Sequence, residues 1–147
     1  MGAILERAEQ CWSGGVEPRE FWKATGATEE VAPDVFFVHA FANVTMVRAG
    51  RGLVLVDTAN YVGRERTFAA VRAIDPGPVR AAIYTHGHAD HAFGLPPFLA
   101  EAAARGWPRP QIVGHRSVAA RFDRYRATLG YNGLINARQF SIQASWP

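Results

Sequence analysis

Thiols are nearly missing from this chain of 147 residues, in which Cys11 stands alone. A single cysteine forms no internal disulfide and gives zinc no second thiolate, so any bound metal must be held by imidazole and carboxylate. Long apolar runs are missing too. No stretch approaches the roughly 20 residues of a spanning helix, and Glu6 and Arg7 interrupt the one N-terminal stretch that imitates a signal peptide. The expectation is a cytoplasmic protein with no membrane partner. Lysine is as scarce as cysteine: 15 of the 16 basic residues are arginine, spread from Arg7 to Arg138 without a basic block. The net charge of +3 is therefore read as compositional bias rather than a phosphate footprint, and no nucleic-acid partner is expected. What remains, 48% hydrophobic and 20% charged residues, excludes disorder, collagen and coiled coil and leaves a globular chain with one core.

Ile4, Leu5, Ala8, Cys11 and Trp12 recur at helical spacing, and Ser13-Gly14-Gly15 stops the pattern. From residue 17 to residue 34 no period is evident, and the stretch reads as a lead-in segment. Strand character follows at 35–38, 44–47 and 53–56, the last two joined through Ala49-Gly50-Arg51-Gly52 as a hairpin. The unbroken run Leu53-Val54-Leu55-Val56 predicts a strand covered on both faces. Tyr61, Val62, Phe68, Val71 and Ile74 predict a helix, with Asn60 as its cap and Pro76-Gly77-Pro78 as its stop; a strand over 79–84 comes directly after. Strand, helix, strand is a βαβ unit with a parallel pair, and ligands gather at the C-terminal edge of such strands. A helix over 96–105, a strand over 111–113 and a helix over 117–128 continue the alternation of an α/β (α+β) chain. Residues 131–140 read as turn-rich, with no closing element before Pro147.

Directly after the strand over 79–84 stands Thr85-His86-Gly87-His88-Ala89-Asp90-His91. Two histidines at i and i+2 on extended backbone point the same way, so both can bind one ion, and Gly87 between them permits a close, bent loop. Asp90 and His91 follow one turn on and can reach a second ion at the 3.5 to 4 Å spacing, roughly, of two-metal hydrolases. Nitrogen and oxygen ligands without sulfur suit Zn²⁺ best and also accept Fe²⁺, Mn²⁺ or Co²⁺.

His86-Gly-His88-Ala-Asp90-His91, preceded by Ala81-Ala82-Ile83-Tyr84-Thr85, resembles the HxHxDH signature of the metallo-β-lactamase superfamily. Gly52-Leu-Val-Leu-Val-Asp57-Thr58 is similar to that family's early strand with its aspartate, and the likeness covers about residues 34–128. Residues 43–47 and 124–140 resemble the branch related to alkyl sulfatases. The resemblance implies a zinc hydrolase, with His86 and His88 on a first metal, Asp90 and His91 on a second, and Asp57 hydrogen-bonding within the site to orient a ligand. Asp90 would also orient the attacking water and pass its proton to the leaving group. The implied fold is the N-terminal half of an αββα sandwich, with residues 1–33 as lead-in and 34–147 as a partial domain.

The family completes each metal with residues of a second half that this sequence does not contain: a further histidine, a bridging aspartate and a late histidine. His115 comes only 24 residues after His91 and is read as a packing or capping residue. His39 is read as a structural histidine, and no Asp follows Asp123. Two ligands per ion fall short of the usual three plus water, so the expectation is the front part of a longer enzyme, or a chain that pairs with a missing half or with its own copy. The substrate is an ester-like small molecule, with a sulfate ester, a β-lactam and a lactone all open; if it is an anionic ester, Arg124, Arg126 or Arg138 would meet its charge, against the alternative of a solvated basic helix face. Rival readings are an incomplete half-domain that acts only as an interaction fragment, and a mononuclear iron dioxygenase on the same fold.

Overall fold

The computed structural model describes residues 2–14 and 24–139. The helix stop at Gly15, the first part of the lead-in (17–23), Phe140 of the turn-rich segment and the C-terminal end at Pro147 lie outside the described residues. The N-terminal amphipathic pattern forms α1 (Ala3–Ser13). Six strands make one sheet in sequence order: β1 (Thr28–Ala32), β2 (Val35–Val38), β3 (Val44–Ala49), β4 (Gly52–Val56), β5 (Val79–Tyr84) and β6 (Gln111–Gly114). β1 to β4 form an antiparallel meander, whereas β4, β5 and β6 run parallel. The parallel strands are connected by α2 (Arg64–Ile74), and then by the short α3 (Ala89–Ala92) and α4 (Pro96–Ala104); α5 (Ser117–Ala127) and α6 (Leu129–Gln139) follow β6.

Period-two alternation sets the core. Phe36, Val38, Val44, Met46, Leu53 and Leu55 lie on one face of the sheet, and all are buried. They pack in one cluster with Val71 of α2 and with Leu95 and Phe98 at α4. Each such side chain contributes about 1.5–3 kcal/mol of burial free energy. The two helices are also held together by charge. Arg72 of α2 donates from Nε to Glu101 Oε2 of α4 at 2.7 Å, and its Nη1 donates to the carbonyls of Asp75 and Gly77 at 3.0 and 2.9 Å. Its guanidinium also lies 5.4 Å from the centroid of the Phe98 ring.

Four readings of the sequence change against this fold. The lead-in stretch contributes β1, because Thr28-Glu29-Glu30-Val31-Ala32 pairs through its backbone with β2 at a solvent-facing edge and so carries no apolar signal. The run Leu53-Val54-Leu55-Val56 is fully covered on one face only among the described residues, with Val54 and Val56 half-buried. Helix α2 starts at Arg64, and Asn60 Oδ1 accepts from the Gly63 N–H at 2.6 Å, shaping the turn before the helix instead of its first turn; Tyr61 and Val62 are exposed. Residues 129–139 form α6 despite Gly130 and Gly133, and none of its residues is buried, so its apolar side chains have no core-facing stripe for the sequence to reveal.

Candidate metal centre

Parallel pairing brings two loops side by side. β4 and β5 end together, and the Asp57 N–H donates to the Ile83 carbonyl at 2.8 Å, so the chain leaves β4 directly beside the histidine loop that leaves β5. The β4 exit is strained: Asp57 and Ala59 hold φ of 58° and 64°, a left-handed conformation that costs of order 1 kcal/mol or more for a non-glycine residue and clusters at functional sites. Contacts from the histidine loop keep it in place. The Thr58 N–H donates to the His91 carbonyl at 2.7 Å. Gly94 lies so close that a Cβ there would overlap the Thr58 carbonyl. Gly87 has a related role: a Cβ on it would stand 2.8 Å from Cβ of Arg121, so this glycine lets the loop rest on α5.

Asp57 is buried, and its carboxylate is fully engaged. Oδ1 accepts from the Thr85 N–H at 2.9 Å, while Oδ2 accepts from the Thr85 hydroxyl at 2.7 Å and from His91 Nδ1 at 2.7 Å. The Thr85 hydroxyl has one proton, and Asp57 takes it. Its oxygen, 2.9 Å from His86 Nδ1, is therefore the acceptor for that imidazole. One carboxylate thus fixes both rings as Nδ1–H tautomers, directly for His91 and through Thr85 for His86, and both leave the Nε2 lone pair free.

The remaining residues gather around His86. Its ring centroid lies 4.2 Å from that of His91 and 4.4 Å from that of His88. Asp57, His86 and His91 each bring one ligand atom to within 4.8 Å of the other two. Asp90 Oδ2 stands 3.7 Å from His91 Nε2; two ligands of one tetrahedral zinc, at about 2.1 Å each, stand about 3.4 Å apart. Burial, reinforced by the neighbouring His86, holds the His88 pKa below the ordinary imidazole value, which keeps the ring neutral and able to donate a lone pair. This donor set, all nitrogen and oxygen with ring tautomers already selected, fits a zinc-like divalent cation.

The other two histidines are placed differently. His115 Nδ1 accepts from the Ser117 N–H at 3.2 Å at the start of α5, and the residue lines a cavity of about 410 Å³ with His86, His88 and Arg121. His39 Nδ1 sits 2.7 Å from the Thr25 hydroxyl and lines a separate cavity of about 450 Å³ with Asn60 and Arg66. Of the arginines considered from sequence, Arg124 lines a cleft of about 580 Å³ that also takes in His88 and Asp90. Arg126 instead pairs with Asp123 at 2.6 Å on the surface, and Arg138 is not among the cleft residues. Arg121, Tyr125 and Tyr131 also share the cleft without any signal in the sequence; their membership depends on how α5 and α6 fold back over the histidine loop.

Comparison with known proteins adds to this geometry. The family model of the metallo-β-lactamase superfamily matches residues 39–139. The chain belongs to the metallo-β-lactamase superfamily. Within it, a linear primary-alkylsulfatase from Pseudomonas sp. (strain ATCC 19151) is 40% identical over 57 residues, which is 38% of this chain and 11% of that enzyme. A B3 metallo-β-lactamase with an active-site glutamic acid superposes with a TM-score of 0.53 at 27% identity, covering 82% of this chain and 40% of the lactamase. BJP-1, a subclass B3 metallo-β-lactamase of Bradyrhizobium japonicum, superposes with a TM-score of 0.50 at 20% identity over 62% of this chain and 33% of its own. The chain is thus a mixed α/β, partial superfamily fold that spans well under half the length of each of these relatives. Among the described residues, no helix is long and apolar enough to cross a membrane.

Proposed function

We propose that this metallo-β-lactamase superfamily chain carries the first half of a divalent-metal hydrolase site, acting on an ester-like bond. The observation that carries the reading is the Asp57 carboxylate, which bonds His91 Nδ1 directly and His86 Nδ1 through Thr85, leaving both Nε2 atoms free. His86 and His88 would serve one ion, and Asp90 with His91 a second; Asp57 orients the imidazoles. Bound there, such ions supply Lewis-acid activation of water near neutral pH and polarisation of the scissile group.

The chain's own residues do the rest. Asp90, 34% exposed and on the cleft wall, accepts a proton from the attacking water and returns it to the leaving group. Gly94 lets the β4 exit lie against the histidine loop, and Gly87 lets that loop rest on α5. Sulfate esters, favoured by the short alkylsulfatase likeness, and lactones are the substrates to assay first. Zinc is the first metal to test, with iron and manganese next.

Purified chain, stripped with a chelator and reloaded, should bind one to two zinc ions per molecule, read by elemental analysis after gel filtration. Loss of one ion or more is expected in His86→Ala and His91→Ala. Stoichiometry near zero in the parent chain would overturn the proposal and favour a half-domain that acts only through interactions. One iron per chain with oxygen uptake would favour the dioxygenase reading.

A further inference from the structure

The cavity of about 450 Å³ around His39 has the size of a small-ligand pocket, and none of the proposed metal ligands lines it. The hydrolase reading does not use it. Four polar side chains meet there, His39, Asn60, Arg66 and Thr67, and each brings a proton. The Thr25 N–H, 3.4 Å from His39 Nδ1, can only donate, and the Thr25 hydroxyl stands 2.7 Å from the same nitrogen, so Nδ1 accepts and the ring carries its proton on Nε2. Burial, with repulsion from Arg7 added, holds the His39 pKa below the ordinary imidazole value and keeps the ring neutral. Asn60 uses Oδ1 on the Gly63 N–H at 2.6 Å, which turns its NH₂ the other way. Arg66 gives one Nη1 proton to the Ala24 carbonyl at 2.6 Å and keeps the rest.

Thr67 decides the matter. It is 2% exposed, yet its hydroxyl has no hydrogen-bond partner among the described residues. Every enclosed side-chain polar atom among those residues does have one, so the Thr67 hydroxyl opens on the cavity that it lines. A buried hydroxyl in that position calls for a partner from outside the chain. The surroundings say which charge that partner carries. No acidic side chain lines the cavity among the described residues, and Gly63, Arg66 and Thr67 belong to the start of α2, the positive end of its dipole. Between the donors the walls are apolar, through Phe41, Ala59 and Val62.

We infer that this cavity binds the carboxylate of a small apolar organic acid, with its oxygens on Arg66, Thr67, Asn60 and His39 Nε2 and its body against Phe41 and Val62. A carboxylate suits this set better than a phosphate, because one guanidinium balances one charge and three neutral donors meet the remaining lone pairs. The site stands apart from the metal and does not rest on the hydrolase reading.

The test uses benzoate and hexanoate, one flat and one flexible, against benzamide and hexanamide, which keep the shape without the charge. Binding to the full chain is measured by isothermal titration calorimetry, both zinc-loaded and metal-stripped. Each acid should bind at least about tenfold more tightly than its amide, and equally to both forms of the chain. Thr67→Val keeps the shape of a side chain whose hydroxyl bonds nothing in the protein, so its folding is safe, and it should weaken the acids about fivefold; Arg66→Gln, at an exposed position, should weaken them about tenfold or more, with zinc stoichiometry unchanged in both. No saturable binding of either acid, amides that bind as tightly as the acids, or both variants binding like the parent would overturn the site. So would binding that is lost when the metal is stripped, since the carboxylate would then sit on zinc. Acid binding without any zinc uptake would remove the hydrolase reading and leave this site standing.

Discussion

Replacing Asp57 with alanine should lower zinc affinity by about 100-fold, the upper end of the range for losing an outer-sphere partner of a metal-binding histidine. The upper end is expected because one carboxylate serves two imidazoles. His91 loses the acceptor of its Nδ1–H, and His86 loses the Thr85 hydroxyl as a directed acceptor, since that hydroxyl no longer has Asp57 to fix its proton. Both rings then sample the other tautomer, which turns N–H instead of a lone pair towards the ion. Asp57→Asn should lose nearly as much: the amide retains one oxygen acceptor, but its NH₂ faces either the Thr85 N–H or the donors at Oδ2. Competition with a chromogenic chelator reads the affinity. An affinity within threefold of the parent would mean that Asp57 is an ordinary strand-end carboxylate.

Arg72→Ala should destabilise the fold by about 3 kcal/mol, the lower end of the cost of removing one partner from a buried ion pair, because Arg105 still reaches Glu101. Arg72 and Glu101 side chains are 13% and 12% exposed, so the carboxylate left behind, in a poorly hydrated position, would keep only the half-exposed Arg105, 3.1 Å away, as its partner. The variant also loses donors to the Asp75 and Gly77 carbonyls, which lie in the turn connecting α2 to β5, and a cation over the Phe98 ring. Urea unfolding followed by far-UV circular dichroism measures the change. Arg72→Ala/Glu101→Leu should recover part of the loss, because the under-compensated buried charge is gone. A single-variant loss under 1 kcal/mol would show that water reaches the pair freely.

Most of the scaffold around the site was legible because it rests on short-range signals. The strand over 79–84 was placed at its observed limits, and Pro96 and Gly106 bracketed α4 within one residue, since apolar runs and breakers act locally. The histidine loop could be found from spacing alone. The spacing did not disclose the arrangement around it; the place of Asp57 there came only as what the family resemblance implied. Asp57 reaches His91 across 34 residues and only because β4 and β5 are parallel neighbours. Arg121 faces the cleft only because Gly87 admits α5 so closely. β1 gave no pattern because an exposed edge strand is held by backbone hydrogen bonds that any side chain permits, and α6 gave none because it buries no stripe.

His86, His88, Asp90 and His91, held by Asp57, should converge on bound cations. Anomalous scattering at the zinc edge from zinc-soaked crystals of the chain tests this most directly. The expected map has a peak within about 2.0–2.2 Å of a nitrogen or oxygen of these side chains, with His86 and His91 bound through Nε2 and Asp57 outside bonding distance. A map with zinc at other residues only, or with His86 and His91 turned so that Nε2 faces away from every peak, would contradict it.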